Sequence, residues 1–96
     1  FGRMAGIILS SPEPQDVFEL GSELARLDGP LRHIGAQVFG PAPAPIARVR
    51  GRHRVRLLVK ADKNVALQRA LIAWIKQVRV PPQVRLRIDI DPQSFY

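Results

Sequence analysis

The most regular pattern in the chain lies near its end, where Val84, Leu86, Ile88 and Ile90 alternate with Arg85, Arg87, Asp89 and Asp91. Successive side chains of a strand point to opposite faces, so this segment predicts a strand with one apolar and one charged face. Residues 2–9 alternate more weakly and are rich in Ile and Met, which predicts a strand over about 3–10, buried on one side. Ser10-Ser11-Pro12-Glu13-Pro14 breaks it. Val17, Leu20, Leu24 and Leu27 then recur at helical spacing behind an acidic first turn (Glu13, Asp16). Ser11 or a residue just after it is the expected N-cap, and Asp28-Gly29-Pro30 the expected stop. Gly21 costs this helix about 1 kcal/mol relative to Ala, which marks a place where the helix approaches the sheet closely.

Gln37 to Phe39 predicts a second short strand, followed by Gly40-Pro41-Ala42-Pro43-Ala44-Pro45. Three alternate prolines exclude a helix and cannot donate to a central ladder, so this tract is a stiff extended connector or a sheet edge. Residues 46–50 and 54–61 predict two strands joined at Gly51 as a hairpin. Asp62-Lys63-Asn64 ends the hairpin and offers a second N-cap. A second helix follows, with Leu67, Leu71, Trp74 and Val78 as its apolar stripe, widened by Ile72 and Ile75, and Pro81-Pro82 as its stop. The order strand, helix, strand, hairpin, helix, strand gives two amphipathic helices one apolar sheet face to cover. The expected fold class is therefore α+β: a two-layer sandwich, mainly antiparallel, with two helices on one face, of the ferredoxin-like kind. At 96 residues the chain is expected to form a single domain over residues 1–96.

Charge changes this picture by singling out the hairpin. The chain holds 15 Lys plus Arg against 8 Asp plus Glu, a net charge of +7. Residues 1–45 are slightly acidic, at −2, whereas residues 46–64 carry Arg48, Arg50, Arg52, Arg54, Arg56, Lys60 and Lys63 against Asp62 alone, for +6. Strand alternation is expected to align Arg48 and Arg50 with Arg52, Arg54 and Arg56 on one face, Lys60 further along, and to turn Ala47, Val49, Val55, Leu57 and Val59 towards the helices. Like charges opposite one another in a hairpin repel by up to about 1 kcal/mol per pair, and an anionic partner relieves that repulsion. Arginine forks match phosphate oxygens, so a DNA or RNA backbone is the favoured partner and a solvated basic face the bland alternative. His53 is the one ring within this ribbon, which supports phosphate contact better than base contact.

Other chemistries are absent from the pattern. The chain has no cysteine, which removes disulfides, thiolate metal sites and cysteine nucleophiles. No Gly-rich loop ending in Lys-Ser or Lys-Thr cradles a phosphate, and no paired-His spacing or serine elbow stands out. No catalytic residue, metal ligand or cofactor is expected. Asp89 and Asp91 share a strand face but are expected to pair with neighbouring arginines, and Trp74 is expected in the core. No apolar run reaches the roughly 18 residues of a membrane span, so the chain reads as cytoplasmic. Beginning at Phe1, it reads as a segment of a longer polypeptide.

Three motifs together resemble a known family. Val38-Phe39-Gly40-Pro41-Ala42-Pro43-Ala44-Pro45-Ile46, then Arg50-Gly51-Arg52-His53-Arg54-Val55-Arg56-Leu57-Leu58-Val59-Lys60, and the closing Ile88-Asp89-Ile90-Asp91-Pro92-Gln93-Ser94-Phe95-Tyr96 are similar, in order and spacing, to the C-terminal domain of the bacterial primosomal protein N′ (PriA) family. The resemblance implies a fold like that of a small ribosomal-subunit protein, at the end of a DNA helicase that restarts abandoned replication forks. It implies that ATP with magnesium, and zinc, belong to the longer parent chain. It also implies three partners: single-stranded or forked DNA, the helicase core of the same chain, and the acidic tail of single-stranded DNA-binding protein. DNA contact then falls to Arg48, Arg50, Arg52, His53, Arg54, Arg56 and Lys60. His53 stands where the family often has an aromatic residue. The tail-receiving surface uses a basic residue and a glutamine; Gln68 matches the glutamine, Asn64 occupies the basic position, and Lys63 beside it is the candidate substitute. The competing readings are a protein-docking module without DNA contact and a ribosomal-type RNA binder.

Overall fold

The computed structural model describes residues 2–63 and 65–90; Asn64 and the closing residues 91–96 of the third motif lie outside the described residues. The elements are β1 (Gly2–Ser11), α1 (Pro14–Arg26), α2 (Gly29–Arg32), β2 (Gln37–Val49), β3 (Arg52–Asp62), α3 (Leu67–Ile75) and β4 (Arg85–Ile90). The strands form one sheet in the order β2-β3-β1-β4, every neighbouring pair antiparallel. With α1 and α3 as its two crossovers this is the ferredoxin-like α+β sandwich that the element order predicts.

One sheet face is apolar because the buried apolar side chains of the two central strands are two apart: Ala5, Ile7 and Leu9 on β1, and Val55, Leu57, Val59 and Ala61 on β3. Val17, Leu20 and Leu24 of α1 and Leu67, Leu71 and Trp74 of α3 join them in one core cluster. Trp74 is fully buried, and its Nε1–H donates to the Leu24 carbonyl at 2.8 Å, so the indole fills the core and ties α3 to α1. Gly21 meets the sheet as its cost in the helix suggests: a Cβ there would lie 2.8 Å from Pro41 Cβ.

Several local expectations are corrected. Of the N-caps expected for α1, Ser11 or a residue just after it, the cap is Glu13 rather than Ser11; Pro14 begins the helix, and the buried Ser11 Oγ accepts from the Glu13 N–H at 3.1 Å. Asp28-Gly29-Pro30 ends α1 but also starts α2, since proline is tolerated in a first helical turn and Leu31 has a buried seat to fill. The N-cap of α3 is Ala66, without a side-chain bond, rather than Asp62 or Lys63. That helix ends at Ile75, six residues ahead of Pro81, and Ile72 is 57% exposed instead of widening the core stripe.

The proline tract is an edge, not a connector: Pro41 and Pro43 lie within β2, and the outer side of an edge strand needs no proline N–H. The tract is irregular, with register shifts between Phe39 and Ala42 and between Pro43 and Arg48. Among the described residues no helix is long and apolar enough to cross a membrane.

Candidate nucleic-acid interface

Both helices cover the same side of the sheet, so the other side is open, and the second half of each strand's alternation points to it. On β3 these positions are Arg52, Arg54, Arg56, Leu58 and Lys60. Register fixes their neighbours: Ser10 of β1 lies between Arg54 and Arg85 of β4, and Ile8 lies between Arg56 and Arg87. Strands are about 4.8 Å apart, which puts two rows of arginines roughly 10 Å apart across β1. Phe39 faces Leu58, and Gln37 faces Lys60, from β2. The open face thus gathers cations from β3 and β4 beside an aromatic ring from β2.

The arginines are not equivalent. Arg52 has its fork occupied: Nε–H donates to Ser10 Oγ at 3.3 Å, and Nη2 donates to the carbonyls of Ser10 at 2.9 Å and Gln83 at 3.0 Å. It clamps β3 to β1 and to the turn before β4. Arg54 donates through Nη1 to the Ile46 carbonyl at 3.3 Å, which holds the irregular part of β2. Arg87 reaches Asp89 Oδ1 at 3.6 Å with both side chains well exposed, the arginine pairing expected of that aspartate. Arg56, Lys60 and Arg85 make no hydrogen bond or ion pair among the described residues.

At the hairpin end, Ser10, Val49, Arg50, Arg52, Arg54 and Arg85 line a concavity of about 190 Å³. Among the described residues four guanidinium groups and no carboxylate border it, a composition suited to an anion the size of a phosphate. Among the described residues no three His, Asp or Glu side chains gather as a metal site, and the chain has neither cysteine nor a phosphate-cradling loop.

Two parts of the expected ribbon separate. Arg48 is opposite His53, whose position alternates with Arg52 and Arg54, so Arg48 and His53 share the other face. Arg50 is not on a strand: with φ of 51°, and 77° at Gly51, it forms the two-residue turn between Val49 and Arg52. Val49 faces Arg52 on the open side, 37% exposed, and Ala47 is exposed too, so neither turns to the helices. The cause is the two-residue turn: with Arg50 and Gly51 both in it, Val49 pairs with Arg52 and Arg48 with His53, so Arg48 falls on the face opposite Arg52 and Arg54. Lys63, in the turn after β3, and Gln68, in the first turn of α3, are both exposed and lie away from the arginine rows.

The sequence reading missed Phe39, Arg85 and Arg87 as members of this surface. The signal for the arginines was present: β4 alternates cleanly, and two helices cover only one face, so its charged side has to share the open face with β3. For Phe39 the signal was its spacing from Gln37, which gains a face only once the proline tract, left open as a connector or an edge, is placed as the edge beside β3.

The profile of the Primosomal protein N C-terminal domain family matches residues 1–93. The chain is 33% identical over its full 96 residues to the replication restart protein PriA of Rickettsia felis, covering 14% of that protein. It is 38% identical over 62 residues to the protein of the same name from Haemophilus influenzae, which involves 64% of this chain and 8% of the relative. Among solved structures, the de novo designed protein Foldit4 superposes with a TM-score of 0.62 at 9% identity, over 97% of this chain and 99% of the designed one, a likeness of fold alone. Full-length similarity to the restart proteins, with the family profile spanning both the hairpin and the strands that frame it, places this chain in the primosomal protein N C-terminal domain family.

Proposed function

We propose that this chain is the DNA-contacting module of a replication-restart helicase and holds the phosphate backbone on the open face of its sheet. One observation carries the reading: Arg54, Arg56 and Lys60 of β3 and Arg85 and Arg87 of β4 converge on that face, and three of the five have no protein partner among the described residues. Such a gathering opposes folding through mutual repulsion and is relieved by a polyanion. The contact is one of position rather than of sequence, because phosphate bonds fix a nucleic acid without reading its bases. The domain itself performs no catalysis in this reading. ATP-driven unwinding belongs to the helicase core of the longer chain, which it supports.

The test is the salt dependence of binding to a labelled single strand. If four or five cations meet phosphates, log K against log salt falls with a slope of about −3. Arg56→Ala with Lys60→Ala makes that slope shallower by roughly 1.4. An affinity indifferent to salt sinks the reading. A second reading is supported by the surface of α3, where exposed Ile72 lies one turn from exposed Gln68 and three residues from Arg69, with Lys63 nearby in the chain. An apolar side chain among basic and amide groups suits the acidic tail of single-stranded DNA-binding protein. Adding a tail peptide to the same titration separates the two surfaces: on this arrangement peptide and DNA bind without competing.

A further inference from the structure

Phe39 is 47% exposed on the open face, opposite Leu58; of the other described Phe and Trp side chains, Phe18 of α1 is 43% exposed and Trp74 of α3 is fully buried, and neither is on a strand. Register places Arg56 and Lys60 two residues to either side of Leu58 on the neighbouring strand. We infer that Phe39 is a stacking platform for one unpaired base, so that the DNA recognised by this face is single-stranded. This rests on the reading that the open face meets DNA, and it adds the form of DNA and the residue that selects it.

The geometry carries the argument. Arg56 and Lys60 are four residues apart on one strand, about 13 Å by strand rise. Phosphates flanking a base on the Phe39 ring therefore have a cation on each side. Single-strand binders combine these two parts, a cationic track and an aromatic ring on which a base lies, and four-stranded sheets that read single-stranded RNA use their open face in the same way. A duplex cannot offer the ring a base face, because its bases are stacked inside; it offers only phosphates. Phe39 also has no packing role that demands an aromatic: its strand is the edge, its neighbour Gly40 approaches the Arg56 carbonyl with backbone alone, and the core lies on the far face.

The experiment measures fluorescence anisotropy of this 96-residue chain with three probes of equal length: an oligothymidine, an oligonucleotide of abasic sites, and a hairpin duplex. Phe39→Ala is expected to weaken oligothymidine binding at least about fivefold. Binding of the abasic strand and of the duplex, and the salt slope, stay unchanged. Phe39→Tyr keeps the affinity, and Phe39→Leu, which is apolar without a ring, behaves as Phe39→Ala. Thermal melts of each variant confirm an unchanged fold. Equal losses on all three probes, or no loss on oligothymidine, overturn the stacking inference while leaving phosphate contact intact if the salt slope persists. Wild-type binding without a salt slope overturns the underlying reading, and this inference with it.

Discussion

Arg52 and Arg56 are four residues apart on one strand and one face, yet their surroundings give them different work. Arg52 bridges the Ser10 and Gln83 carbonyls, so its loss leaves two strand-end acceptors without their charged donor. Hydrogen bonds to charged groups contribute more than neutral ones, and with part of this side chain in water Arg52→Ala is expected to cost about 1–2 kcal/mol of stability. Arg56→Ala removes no such bond and should shift stability by no more than about 0.5 kcal/mol, while weakening DNA binding on every sequence tested. Urea denaturation alongside anisotropy checks both; equal destabilisation by the two substitutions would contradict the division. Sequence alternation put both residues on one face correctly. It could not separate clamp from contact, since that depends on carbonyls 42 and 31 residues away in the chain.

At the scale of elements, strand and helix types were legible wherever one periodicity dominated. β4, β1 and the core stripe of α1 followed from spacing alone, and the two amphipathic helices dictated a two-layer arrangement. What was not legible depended on contacts between elements. A one-turn helix at Gly29–Arg32 exists because Leu31 reaches the core, and Ile72 is exposed because Leu71 and Trp74 already fill the side of α3 that meets it. The faces of the last part of β2 were lost at the turn, which takes in Arg50 as well as Gly51 and so pairs Val49 rather than Arg50 with Arg52. The close approach of Gly21 to Pro41 gives a prediction at this scale. Alanine normally stabilises a helix by about 1 kcal/mol over glycine. Here the added Cβ would lie 2.8 Å from Pro41 Cβ and 3.2 Å from its Cγ, in a proline ring that cannot rotate away. Overpacking of this kind costs typically 1–3 kcal/mol and outweighs the helical gain, so Gly21→Ala is expected to lower the melting temperature. A rise would mean that α1 can lift from β2 without loss.

Across the whole molecule, the two layers carry different charge. The helical layer holds the acidic first part of the chain, including Glu19 and Glu23 on α1, and the open sheet face holds the arginine rows. The shortest dimension of the Cα frame is 16 Å, twice the screening length of about 8 Å at physiological salt. The layers should therefore act on a polyanion independently. This gives a test of whether the proposed DNA binding runs through a surface or merely through the net charge of +7. Glu19→Gln with Glu23→Gln raises the net charge by two on the helical side; Arg56→Gln with Arg85→Gln lowers it by two on the sheet. At 0.15 M salt the first pair should leave affinity within about twofold, its sites lying beyond a screening length from the bound strand. On the proposed reading the second pair removes two phosphate contacts and should weaken binding at least about tenfold, with the salt slope shallower by roughly 1.4. Under low salt, where the screening length grows to about 30 Å, the first pair should begin to strengthen binding, because the field of the helical layer then reaches the sheet face. Affinities that track net charge alike for both pairs at 0.15 M salt would mean that the arginine rows hold no privileged position, and that DNA meets the molecule from any side.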